Sequence, residues 1–152
     1  MLIFMLYEVI TMTCTFFGHN DTPPSIRGTL KDVLIYMIEN RGADLFYVGD
    51  HGNFDRAAIS VLRELSKIYP IHYYVVPAYL PTKDPGYPTI FPEGIEKTPK
   101  RFAISFRNRW MPANSDVVVA YVNRSYGGAA QFVELAEKRK KEIINLAKQK
   151  II

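Results

Sequence analysis

Residues 117–138, VVVAYVNRSYGGAAQFVELAEK, pass from an apolar, β-branched run through two adjacent glycines into an amphipathic segment. Val117 to Val122 is the most strand-like run in the chain and reads as a central strand. Beyond Gly127 and Gly128, the residues Ala129, Phe132, Val133 and Ala136 fall on one helical face. The sequence thus predicts a strand, a turn bare of side chains and a helix. Glycine permits a sharp turn and a close approach to the backbone, and a helix start offers free N–H groups to an anion.

The same unit recurs upstream. Thr13 to Phe17 is a short β-prone run that stops at Gly18, and Ile26 to Asn40 carries Leu30, Val33, Leu34, Met37 and Ile38 at helical spacing. Gly42 stops that helix, Asp44 to Val48 is a second apolar run, and Gly49 precedes a helix marked by Ala58, Val61, Leu62 and Leu65. Pro70 closes it, and His72 to Val76 predicts a third strand. From Pro77 to Pro99 the rhythm fails, with six of the ten prolines in that stretch. Such a loop serves either as a functional lid or partner-binding segment or as packing over the sheet. Arg101 to Met111 predicts a helix in which Phe102, Phe106 and Trp110 pack, and Glu142 to Leu146 predicts a closing strand.

Alternating strands and helices imply an α/β fold, a Rossmann-like three-layer sandwich with a mainly parallel five-stranded sheet in the order 3-2-1-4-5. Ligands of such folds bind beyond the carboxyl ends of the strands, at the switch point between strands one and four. At 152 residues, 48% apolar and 22% charged, the chain reads as one globular domain. No run reaches the roughly 20 apolar residues that span a bilayer, so no membrane partner is expected. A single cysteine, Cys14, excludes an internal disulfide and fits a cytoplasmic setting. Met1 to Thr11 lacks the marks of a secretory signal and reads as an upstream extension of a domain spanning 12–152. The net charge of +4 invites a nucleic-acid reading, but its densest run, Lys138 to Lys141, ends a predicted helix, where cations oppose the macrodipole.

Three glycine-bearing loops follow strands one, two and four: GHNDTPP from Gly18, GDHGNFD from Gly49 and NRSYGG from Asn123. Together they predict a phosphate-binding pocket that needs no metal or further cofactor. His19 and His51 suit donors to a phosphate or a base, and two histidines without a third ligand do not make a zinc site. Asp55 is either a first-turn carboxylate complementing the helix dipole or an acceptor for a ribose hydroxyl. Asn123 and Ser125 either bond the ligand or form the turn. Glu134 lies opposite the Phe132 and Ala136 face and four residues before Lys138, as an exposed ion pair would.

The segments TCTFFGH, FYVGDHGNFDRAA, RNRWMPANSDVVVAY and GGAAQFVELAEKRKKEIINL together resemble the SLOG superfamily, which includes the DNA-processing protein DprA and the LOG phosphoribohydrolases. The nearest likeness is to its small bacterial branch, over residues 12–146. That resemblance implies a Rossmann-like domain binding a nucleotide or nucleotide derivative as a sensor or regulator, with phosphate held at Gly127 and Gly128. It implies that one of Arg107 and Arg109 faces the pocket, with Arg109 the slightly favoured candidate, and that Glu134 would be the general base if the chain is an enzyme. The LOG pattern Pro-Gly-Gly-x-Gly-Thr-x-x-Glu is matched at Gly127, Gly128 and Glu134, while Ala130 and Gln131 stand where its third glycine and threonine would be. A LOG-like cleavage of a nucleoside monophosphate is the alternative reading, and DprA-like binding of single-stranded DNA ranks third. Relatives commonly pair, so a homo-oligomer is a further expectation.

Overall fold

The computed structural model describes residues 12–147; the extension read at 1–11 lies outside them. Five strands form one parallel sheet: β1 (Thr13–Gly18), β2 (Leu45–Val48), β3 (His72–Val75), β4 (Val117–Tyr121) and β5 (Glu142–Asn145), in the order β3-β2-β1-β4-β5. Four helices connect them: α1 (Ile26–Arg41), α2 (Asn53–Leu65), α3 (Ala103–Ala113) and α4 (Gly128–Lys138). The expected strand order is the one found. Among the described residues no helix is long and apolar enough to cross a membrane.

The pleat sends successive side chains to opposite faces, and the two cores divide accordingly. Cys14, Phe16, Val117 and Val119 pack with Leu30, Leu34 and Met37 of α1 and Phe54, Val61 and Leu62 of α2. Phe17, Val118 and Ala120 pack with Met111 of α3 and with Phe132, Val133 and Ala136 of α4. Burial of each large side chain contributes roughly 1.5–3 kcal/mol, so the sheet is held from both sides, which is why β2 and β4 read as unbroken apolar runs.

Most boundaries shift by a residue or two from the sequence reading, and those around β5 and α3 have a physical cause. β5 ends at Asn145, because the Asn145 side chain leaves the ladder and closes a two-way bond with Val122, accepting from its N–H at 3.1 Å and donating to its carbonyl at 3.0 Å. The segment before β4 is two 3-10 turns, Ile95–Lys97 and Lys100–Phe102, and then α3, which carries Pro112 in its last turn. Phe102 is half exposed instead of packed, whereas Trp110 meets the Tyr47 ring edge-on at 4.9 Å.

The proline-rich loop packs against the sheet. Val75 donates to the Pro88 carbonyl and Ile90 donates to the Val75 carbonyl, forming a parallel bridge between Val75 and Thr89. That bridge gives part of the outer edge of β3 a partner inside the chain.

Candidate functional site

A cleft of about 430 Å³ opens over the carboxyl ends of β1 and β4, where the strand order reverses. Its floor begins at the loop after β2. Gly49 is buried, and a Cβ there would stand 2.7 Å from Asp55 Oδ2 and 3.1 Å from Arg107 Nη1, so only glycine lets both side chains lie across the backbone. The His51 N–H donates to Asp55 Oδ2 at 3.0 Å. Burial pushes the Asp55 carboxyl up to about 7, against the opposing pull of that N–H and of Arg107. A buried carboxyl raised toward neutrality at a strand-end cleft makes Asp55 a candidate functional group.

Arg107 comes from the middle of α3 and is almost wholly buried. Its Nη1 donates to the Val76 carbonyl at 2.8 Å and to Asp50 at 3.1 Å, and its Nε donates to Asn108 at 2.6 Å. This corrects the preference for Arg109. Two residues further along the helix turns the side chain by about 200°, and Arg109 is exposed while Arg107 lines the cleft.

The opposite wall joins the loops after β1 and β4. Gly18 lies against the Phe54 ring, where a Cβ would be 2.1 Å from a ring carbon. His19 is buried, and its Nε2 accepts the Asn123 backbone N–H at 3.2 Å, so the neutral ring carries its proton on Nδ1. Burial and, behind it, Arg124 hold its pKa below the ordinary imidazole value. Arg124 reaches back to Asp21 at 3.1 Å, and its guanidinium lies over the Tyr126 ring at 5.3 Å. Its Nε is enclosed without a hydrogen-bond partner.

Gly127 and Gly128 complete the cleft at the start of α4. Gly127 has φ +96°, a conformation that demands glycine; Gly128 does not, and a Cβ on either residue would meet nothing within 4 Å. The first amide groups of α4 have no partner inside the helix.

The expected site residues therefore separate. Gly18, His19, His51, Asp55, Arg107, Gly127 and Gly128 line this cleft, and Gly49 underlies it. Asn123, Ser125 and Glu134 instead line a shallower depression of about 760 Å³ on the other side of the β4–α4 loop, beside Glu137 and Asn145. Glu134 is 69% exposed there and pairs with Lys138 at 3.4 Å. Asn123 still serves the cleft through its backbone. Arg124 and Tyr126, which sequence reasoning did not single out, line the cleft; their only signal was their place inside NRSYGG. Two residues of the basic run are engaged locally: Lys138 pairs with Glu134, and Lys141 donates to the Ser115 carbonyl at 3.0 Å. Among the described residues no group of three or more His, Cys, Asp and Glu side chains could hold a metal ion. Comparison with known proteins gives the chain no family assignment: no family model matches it, and no curated protein matches it significantly.

Proposed function

We propose that the strand-end cleft binds a nucleotide or nucleotide derivative, with its phosphate against the Gly127–Gly128 turn, and that the protein acts as a sensor or regulator in the cytosol. The observation that carries this reading is the openness of Gly128. Neither its backbone conformation nor any neighbour within 4 Å requires a glycine there. An anion drawn close to the first amides of an 11-residue helix gives that bareness a use. The cleft supplies the remaining chemistry: the Arg107 guanidinium and the His19 and His51 rings for polar groups, Asp55 for a ribose hydroxyl, and Phe17, Met111 and Ala129 as an apolar wall. Membership of the SLOG superfamily, suggested by the sequence motifs, is consistent with this sheet order and with a ligand at this edge. A chain with a single cysteine, unable to form an internal disulfide, fits a cytosolic setting; burial pushes the Cys14 thiol up to about 12, as for a structural residue.

A thermal-shift series with AMP, ADP-ribose, NAD and cyclic nucleotides tests the proposal. A ligand at about 100 times its dissociation constant adds roughly 2.7 kcal/mol of stability. At least one nucleotide should raise the melting temperature, and Gly128→Ala should abolish the shift without lowering the unliganded melting point. If no nucleotide raises it, the reading fails.

A further inference from the structure

Two large apolar side chains at the cleft remain in contact with water. Tyr126, in the β4–α4 loop, is 70% exposed, and Ile104, in the first turn of α3, is 41% exposed. Leaving such area hydrated forgoes the gain of burying it. Tyr126 is nevertheless held in place. The Arg124 guanidinium covers the ring at 5.3 Å, and Arg124 is itself tied to Asp21 in the loop after β1. A ring has two faces; with one under Arg124, the exposure belongs to the other face and the edge.

We propose that Tyr126 is the stacking surface for a planar heteroaromatic base of the ligand, with Ile104 forming the apolar side of the same mouth. The inference rests on the nucleotide reading of the cleft and assigns the base a place within it. Tyr126 directly precedes Gly127, so the ring and the bare turn belong to one short loop and to one cleft of about 430 Å³. Stacking recognises the π-face that all bases share and reads no hydrogen-bonding edge. Tyr126 is therefore selective for the presence of a base and tolerant of its identity.

Calorimetric titration of the full chain with AMP, GMP and ribose 5-phosphate, for the wild type, Tyr126→Phe and Tyr126→Ala, decides the matter. Wild type should bind AMP and GMP within a few-fold of each other and both about 10-fold or more tighter than ribose 5-phosphate, which carries the sugar and phosphate without a base. Tyr126→Phe should keep that advantage. Tyr126→Ala should lose it while binding ribose 5-phosphate as before. Equal wild-type affinity for AMP and ribose 5-phosphate, or an undiminished AMP preference in Tyr126→Ala, overturns the stacking role and leaves the nucleotide reading standing. Absence of binding by all three ligands overturns the stacking of a mononucleotide base at Tyr126, and the nucleotide reading falls with it where ADP-ribose, NAD and the cyclic nucleotides also leave the melting temperature unmoved. Should Tyr126→Ala fail to fold, Tyr126→Leu, which keeps bulk and lacks the π-face, takes its place with the same expected loss of the AMP preference.

Discussion

The Asn123 backbone N–H donates to His19 Nε2 across 3.2 Å, tying the loop after β4 to the loop after β1. Protonation would place an N–H where this donor points and a second cation near Arg124. A folded pKa below the ordinary value means that the neutral ring favours the fold: the contribution is present above about pH 6.5 and is lost as pH falls through the folded pKa. Relative to His19→Gln, which has no ring to protonate, wild type should therefore lose stability between pH 8 and pH 5, as read from urea midpoints at the two pH values. A difference that stays constant would show that the His19–Asn123 bond does not govern this pH range.

Asp55 titrates in the opposite sense. Its carboxyl is raised from 3.8 to about 7 by burial, so its contribution is fully present below pH 3.8 and is withdrawn as pH rises through 7. Asp55→Asn removes the charge that burial penalises. The stability of the variant relative to wild type should rise between pH 4 and pH 8, by at most on the order of 4 kcal/mol. A difference that stays flat across that range would contradict the assigned environment.

Four glycines should separate by mechanism when replaced by alanine. At Gly18 the new Cβ meets the Phe54 ring at 2.1 Å, and at Gly49 it meets Asp55 and Arg107 at 2.7 and 3.1 Å. Overpacking of this kind costs about 1–3 kcal/mol, with Gly18→Ala at or above the upper end. Gly127→Ala meets no atom but strains a positive φ, at about 1–3 kcal/mol. Gly128→Ala should stay within about 0.5 kcal/mol of wild type. Denaturant unfolding gives this order directly, and a large loss at Gly128 would remove the argument that its bareness serves a ligand.

Arg107→Ala should cost about 3–5 kcal/mol, because it takes the buried guanidinium from Asp50, Asn108 and the Val76 carbonyl at once. Arg107→Lys keeps the charge but not the fork of donors, and should recover only part of that loss. Chemical denaturation of both variants checks the pair; full recovery by lysine would mean that charge alone matters there.

The sheet was legible because a strand buried on both faces is rich in apolar and β-branched residues, and Val117–Ala120 could be little else; in Cys14–Phe17 the one polar side chain, Thr15, donates to the Tyr47 carbonyl. The edge of the site was legible for the same reason, since strand order fixes where the loops converge. Side-chain direction was not. Arg107 and Arg109 are chemically alike, and only the docking of α3 on the sheet decides which one turns inward. Phe102 looked like a packing residue, but the 3-10 turn that holds it faces solvent. The Arg124–Asp21 pair joins positions 103 residues apart, a distance over which local pattern carries no information. Glu134 illustrates the converse: its helical phase opposite Phe132 indicated an exposed side chain, and it lies outside the cleft.

The central seam of the sheet pairs Cys14–Gly18 with Val117–Tyr121. A contact between segments about a hundred residues apart closes one of the largest loops available to this chain, and such closures set the pace of folding. On the ribosome β1 emerges first and must wait for most of the chain before β4 arrives. The cleft lies across that seam, so it is among the last parts of the molecule to exist. A polypeptide halted before Val117 would carry His19, Asp55 and three of the five strands, but no cleft.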